Sequence, residues 1–277
     1  MWMVCFASVV SDIYTHGHHA AVLRSHTWRT VDNSAAYLSA FLVPGATVLD
    51  VGCGPGTITV EMAERVAPAQ VVGIERVADP LGQARELAQS RAVTNVSFEL
   101  GDAYALAAAD NSYDVVHAHQ VLQHLSNPVA ALKEMLRVCD PDGVVAARDA
   151  DYAAMTWYPQ NLLLDRWLEL YHAIAYGNQA EPDAGRRLLS WALQAGARDI
   201  TTGASMWCFA TTEERQWWGG LWAERVTASA FAEQAVARDL ATSEELDQIA
   251  AAWLDWSRQP DGWFAVIHGE VLCRPAR

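Results

Sequence analysis

Lysine is nearly absent. Lys133 is the only one in 277 residues, no basic run occurs, and the formal net charge is −14. Proteins that follow nucleic-acid backbones concentrate cations, because neutralising phosphates supplies most of their non-specific affinity. Nucleic acid is therefore not an expected partner. The five cysteines (Cys5, Cys53, Cys139, Cys208, Cys273) are odd in number, widely spaced and without a C-x-x-C pair. That pattern argues against a disulfide framework or a zinc knuckle and points to a reducing, cytoplasmic setting. No apolar stretch approaches the ~20 residues that span a bilayer. The start, Met1 to Val10, is apolar but lacks a basic leader and a full apolar core before Asp12, which makes a poor signal peptide. Internal repeats and low-complexity linkers are also missing.

What is present is apolar capacity. The chain is 52% hydrophobic and 19% charged, the composition of a packed globular protein, and its length fits one α/β domain with a cap or insertion. From about residue 31, helical patterns alternate with short β-branched strands, as in a parallel sheet covered on both faces. Helices are expected over 31–42, 57–66, 80–90 and 128–138, and strands over 47–51, 70–74, 96–100, 113–118 and 144–148. Aromatic-rich helical sequence follows over 151–185, then a helix at 187–194 and a strand at 200–209. Residues 211–257 look helical throughout, with caps at Thr212 and Ser243, and a last strand covers 263–273.

Between the first strand and its helix stands Asp50-Val51-Gly52-Cys53-Gly54-Pro55-Gly56-Thr57. Glycines there allow positive φ and close approach of a ligand to the backbone, and the following helix offers unpaired N–H groups. The spacing is G-x-G-x-G. A dinucleotide fingerprint wants a third glycine where Thr57 stands, and the anionic Asp50 would repel a diphosphate while suiting an ammonium or sulfonium. Glu75 ends the second strand, placed to accept both hydroxyls of a ribose. Asp102 follows the third strand, within reach of an adenine amine. Each acid alone is equally a solvated loop residue or a helix cap; three at successive strand ends are a less ordinary coincidence.

From about Val48 to Arg148 these motifs, with Gly-Ile-Glu-Arg at 73–76, Gly-Asp-Ala at 101–103 and Tyr-Asp-Val-Val-His-Ala-His-Gln at 113–120, resemble the class I methyltransferases dependent on S-adenosylmethionine (SAM). The similarity is closest to the ubiquinone/menaquinone-biosynthesis-like subgroup. It implies a Rossmann-like α/β fold of seven mostly parallel strands. An N-terminal helical lid would occupy residues 1–30 and the SAM-binding core 31–150. Residues 151–277, in the same domain, would add cap helices, the last two strands and a helical insertion. It also implies that Asp50, Gly52 and Gly54, with Cys53 and Gly56, line the methionine part of SAM. Glu75 and Arg76 would hold the ribose, Asp102 and Ala103 the adenine, and His119 and Gln120 the edge near the sulfonium.

Methyl transfer is an in-line displacement needing alignment and exclusion of water, and an acidic acceptor also needs a base. His119 is the first candidate, at the end of the fourth strand; His117 shares its parity, and His124 is expected to pack at the next helix. A histidine that merely hydrogen-bonds locally is the competing reading. By analogy with related enzymes, Tyr14 would close the site and Arg29 would pair with the SAM carboxylate. His16, His18 and His19 look like metal ligands but have no acidic or cysteine partner nearby, and no metal is expected. Asp149 and Asp151 either orient an acceptor or terminate the fifth strand. Most of the tryptophans are expected in the core, whereas Tyr152, Trp157 and Trp207 are placed to face an acceptor. The expected activity is methylation of a small, apolar or aromatic metabolite on O, N or C, by a chain that does not span a membrane and whose form allows a homodimer. The alternatives are a nicotinamide-dependent oxidoreductase and a SAM-binding protein without turnover.

Overall fold

A computed structural model describes residues 25–276. Its centre is one sheet in the order β3-β2-β1-β4-β5-β8-β6, with β7 paired to β8. The strands are β1 (Val48–Val51), β2 (Val71–Glu75), β3 (Val96–Leu100), β4 (Tyr113–His119), β5 (Cys139–Ala150), β6 (Thr156–Tyr158), β7 (Arg198–Phe209) and β8 (Trp263–Arg274). The first five are parallel, and β8 runs antiparallel to β5, β6 and β7. Strand order reverses between β1 and β4, where such sheets bind ligands at their carboxyl ends.

Because side chains alternate across a strand, each strand serves two cores. Val48, Val71, Val115, Val144 and Ala146 pack under α1 (Val31–Ser34), the 3-10 turns of Ala36–Phe41 and α2 (Thr57–Val66). Leu49, Val51, Val116, Ala118, Val145 and Ala147 pack on the other side, against α4 (Pro128–Val138) and α6 (Leu188–Ala195); α3 (Asp79–Ser90) meets Val60 and Phe98. The same parity puts Asp50, His117, His119, Arg148 and Glu270 on the face of Val48, since Asp50 pairs with His117, His119 with Arg148 and Arg148 with Glu270.

A third, aromatic core joins α5 (Leu162–Gly177), α7 (Thr212–Ala228), α8 (Ala230–Ala237) and α9 (Ser243–Arg258) to the start of β8. Trp167 sits 4.5 Å from Trp222 and 4.9 Å from Trp253, both edge-on. Core packing thus takes most of the tryptophans, as expected. No helix among the described residues is long and apolar enough to cross a membrane.

Three expectations change. The sheet has an eighth strand, β6, three residues within sequence read as helical. The helix expected over 31–42 breaks at Ala35, whose φ of −137° leaves the helical region, into α1 and a 3-10 segment. The continuous helix expected over 211–257 is three, because Ser229 and Thr242 are extended and start new helices with their own side chains.

Candidate active site

At the carboxyl ends of β1, β2 and β4 lies a cavity of about 470 Å³. Gly52 and Gly54 have φ of +73° and +54°, and the N–H groups of Gly52 and Cys53 both bond the Ile74 carbonyl, at 2.8 and 3.0 Å. The loop is thereby tied down onto β2. A β-carbon at Gly52 would lie 2.4 Å from Val121, so glycine is required there by both shape and backbone. Glu75 accepts from the Gly54 N–H at 3.1 Å and the Arg76 N–H at 2.7 Å, which fixes its carboxylate on the cavity wall. Asp102 accepts from the Tyr104 N–H at 2.9 Å. Asp50, Gly52, Cys53, Gly54, Glu75, Arg76, Asp102, Ala103, His119, Gln120 and Arg29 all line this cavity. Its polarity suits SAM: carboxylates stand at the loop end and at the two next strand ends, and Ile74, Val77 and Leu125 add apolar surface to the lining.

Gly56 is the exception among the glycines. It is not part of the lining; it starts α2 with φ +78°, and a β-carbon there would meet Ala84 at 2.7 Å and Phe98 at 3.0 Å. Its role is close packing of α2 on α3. Asp50 lines the cavity but is 3% exposed, and both of its oxygens are engaged, with His117 Nδ1 at 2.8 Å and Thr59 Oγ1 at 2.5 Å. Tyr14 and His16, His18 and His19 lie outside the described residues.

A second, smaller chamber of about 20 Å³ adjoins the first, sharing His26, Arg29, Gln120 and His124. Tyr152 and Trp207 line it. Trp157 does not: pairing of β6 with β8 turns its ring onto Phe264, stacked at 5.6 Å within the aromatic core. Asp149 and Asp151 face neither cavity. Asp151 caps the 3-10 turn of Tyr152–Ala154 and holds Arg186 through both oxygens. Asp149 is fully buried, accepting from the Gln123 N–H at 3.1 Å; burial raises its carboxyl to about 7.

Expected site residues meet others that the sequence did not mark, among them His26, Arg148 and His268. Arg29 donates to Gln120 Oε1 at 2.5 Å, and Gln120 Nε2 donates to His268 Nε2 at 2.8 Å. His268 Nδ1 faces the Val266 carbonyl at 3.1 Å, which fixes the proton on Nδ1 and leaves Nε2 as the acceptor. Gln120 makes this chain from a φ of +54°, held by its N–H to the Arg148 carbonyl, an uncommon conformation of the kind found at working sites. Trp207 lies between two guanidiniums, 5.7 Å from Arg29 and 5.1 Å from Arg148. His26, rather than Arg29, is the residue of the leading segment brought against the glycine loop, its carbonyl accepting from Thr57 Oγ1 at 3.1 Å.

His119 stacks over His117 at 6.5 Å and meets Trp207 at 5.8 Å. Both of its ring nitrogens are buried without a hydrogen-bond partner. Burial first, then the charges of Arg29 and Arg148, hold its pKa well below the usual histidine value. Burial and Arg29 likewise pull His124 down to about 3. The lowered pKa keeps both rings in the neutral form at physiological pH.

Residues 42–216 match the family model described as "Methyltransferase domain". The chain is 35% identical to an uncharacterized methyltransferase, C1B3.06c, of Schizosaccharomyces pombe, over 94% of this chain and 95% of that one. It is 33% identical to the ubiquinone/menaquinone biosynthesis C-methyltransferase UbiE of Bdellovibrio bacteriovorus, over 43% of this chain and 53% of that one. Among solved structures it is similar to the Haemonchus contortus phosphoethanolamine N-methyltransferase 2, with a TM-score of 0.59 at 16% identity, covering 95% of this chain and 61% of that one. The chain belongs to the methyltransferase domain family, and its fold is the Rossmann-like one of methyltransferases of known structure.

Proposed function

We propose that the protein methylates a small, apolar or aromatic acceptor in the cytoplasm. The observation that carries this reading is a pair of neighbouring cavities that share His26, Arg29, Gln120 and His124: a large one at the strand ends, and a small aromatic one walled by Tyr152, Trp207, Trp218 and Trp222. SAM supplies an electrophilic methyl group on a sulfonium. On the protein side, Glu75 and Asp102 would hold the ribose and adenine, and the glycine loop with His26 the methionine end. Gln120, fixed by Arg29 and His268, would shape the passage between the cavities, and the tryptophans exclude water from it.

His119 is assigned hydrogen bonding toward the reacting groups rather than proton abstraction. A ring whose conjugate acid is so disfavoured accepts a proton poorly at neutral pH. Arg29 was expected at the SAM carboxylate; its stacking on Trp207 and its place in the lining of both cavities favour the acceptor side. Calorimetric titration with SAM and with NADH tests the cofactor half of this reading, with SAM binding and no NADH binding expected. Transfer of labelled methyl groups into a metabolite extract tests turnover, and separates an enzyme from a SAM-binding protein without activity.

A further inference from the structure

Gln120 lines both the large cavity and the small chamber, so it stands where the two meet. A glutamine amide can face either way, presenting an oxygen that accepts or a nitrogen that donates. Its neighbours here allow one orientation. Arg29 carries only donors and places one on Oε1 at 2.5 Å. On the other side, His268 Nδ1 gives its hydrogen to the Val266 carbonyl at 3.1 Å, so Nε2, 2.8 Å from the Gln120 nitrogen, offers a lone pair. Turning the amide over would set its nitrogen against the guanidinium and its oxygen against that lone pair, losing both bonds. His268 is fully buried against Trp207, with ring centroids 4.4 Å apart. Burial, then the charges of Arg148 and Arg29, hold its pKa well below the usual histidine value. The ring therefore stays neutral and keeps its lone pair at physiological pH. The backbone is fixed as well, since the Gln120 N–H bonds the Arg148 carbonyl at 2.8 Å from a φ of +54°.

An amide nitrogen carries two hydrogens, and among the described residues His268 is the only partner of Gln120 Nε2. The second N–H belongs to a half-buried side chain at the junction of the cavities. We infer that this N–H reads the methyl acceptor: the molecule at the junction carries an uncharged oxygen of carbonyl or ether type that takes it, and His268 is the positioning residue that holds the amide in the donating orientation. This rests on the methyltransferase reading above. The arrangement selects as well as binds. A hydrocarbon of the same shape would leave a desolvated N–H unpaired, and a group able only to donate would bring no lone pair to it. The rings of Tyr152, Trp207 and Trp222 in the chamber lining accept either shape alike, so discrimination falls to Gln120. His268 lines neither cavity, and its effect on the methyl acceptor passes through the amide.

The test is ligand-observed NMR titration of the full chain saturated with S-adenosylhomocysteine, using acetophenone and ethylbenzene, which share a shape and differ in one oxygen. Acetophenone should bind more tightly by about fivefold or more, the ratio that one neutral hydrogen bond supplies. Gln120→Met and His268→Leu should each bring that ratio toward unity. His268→Gln offers an amide oxygen in place of Nε2 and should keep the preference, a rescue that a merely structural role for the ring does not predict. Calorimetry with S-adenosylhomocysteine shows which variants retain the cofactor cavity, and Gln120→Met and His268→Leu are judged where it is retained. Loss of S-adenosylhomocysteine by both overturns the inference, because the amide would then serve the cofactor and not the methyl acceptor. Equal affinities for the two probes, no measurable binding of either, or a preference that survives either substitution overturns it too. His268→Gln behaving as His268→Leu overturns the positioning role. Failure of the wild-type protein to bind SAM overturns instead the reading on which the inference rests.

Discussion

His119 and Asp149 are both buried ionisable groups at the carboxyl ends of central strands, and they respond to burial in opposite senses. For His119 the charged form is disfavoured by burial and by Arg29 and Arg148, so no inflection from it is expected in kcat/KM across roughly pH 6 to 8. His119→Ala should cost about tenfold or less in kcat/KM, against the ~10²-fold or more expected for loss of an obligatory base. A larger loss, with an inflection removed by the substitution, would restore His119 as the base. For Asp149 the neutral form is favoured, with its pKa raised from 3.8 to about 7 and Oδ2 left without a partner. The folded state holds this proton more tightly than the unfolded state. The contribution to stability is therefore full below the unfolded pKa and is lost as pH rises toward 7. Asp149→Asn should gain on the wild type over that window by up to ~1.4 kcal/mol per pH unit, levelling above it. Urea unfolding of both proteins between pH 5 and 8 measures this; parallel curves would contradict it.

At the scale of elements, the glycine loop divides its labour. Gly52 and Gly54 shape the cavity, whereas Gly56 lets α2 lie on α3. Gly56→Ala forces a left-handed φ and a contact at 2.7 Å with Ala84, and should cost roughly 1–3 kcal/mol of stability. Thermal unfolding checks it, and an unchanged melting temperature would refute the packing role. The same loop shows what sequence can convey. Strands β1 to β5 and the acids at their ends were legible because alternation, turn residues and strand-end position are local properties. Strand β6 was not, since three residues carry no period and become a strand only when Trp263 to Ala265 pair with them. Trp157 was misplaced for the same reason. The break at Ala35 and the new start at Ser229 lie inside stretches whose composition is uniformly helical, so only the backbone reveals them. The long-range contacts behind the site were the least legible. Arg148, Glu270 and His268 meet through β5–β8 pairing across some 120 positions of chain, a distance over which no spacing rule reaches.

For the molecule as a whole, a net charge of −14 surrounds a chamber whose lining charges are positive. The aromatic core of α5, α7 and α9, built around Trp167, Trp222 and Trp253, anchors the chamber wall on the sheet. The most direct test of the central claim is incubation of the protein with trideuteromethyl-labelled SAM and a metabolite extract, read by mass spectrometry. A small aromatic or apolar product carrying the intact label, formed together with S-adenosylhomocysteine, is the predicted result. SAM left unconsumed against every extract, or NADH bound in its place, would contradict the account.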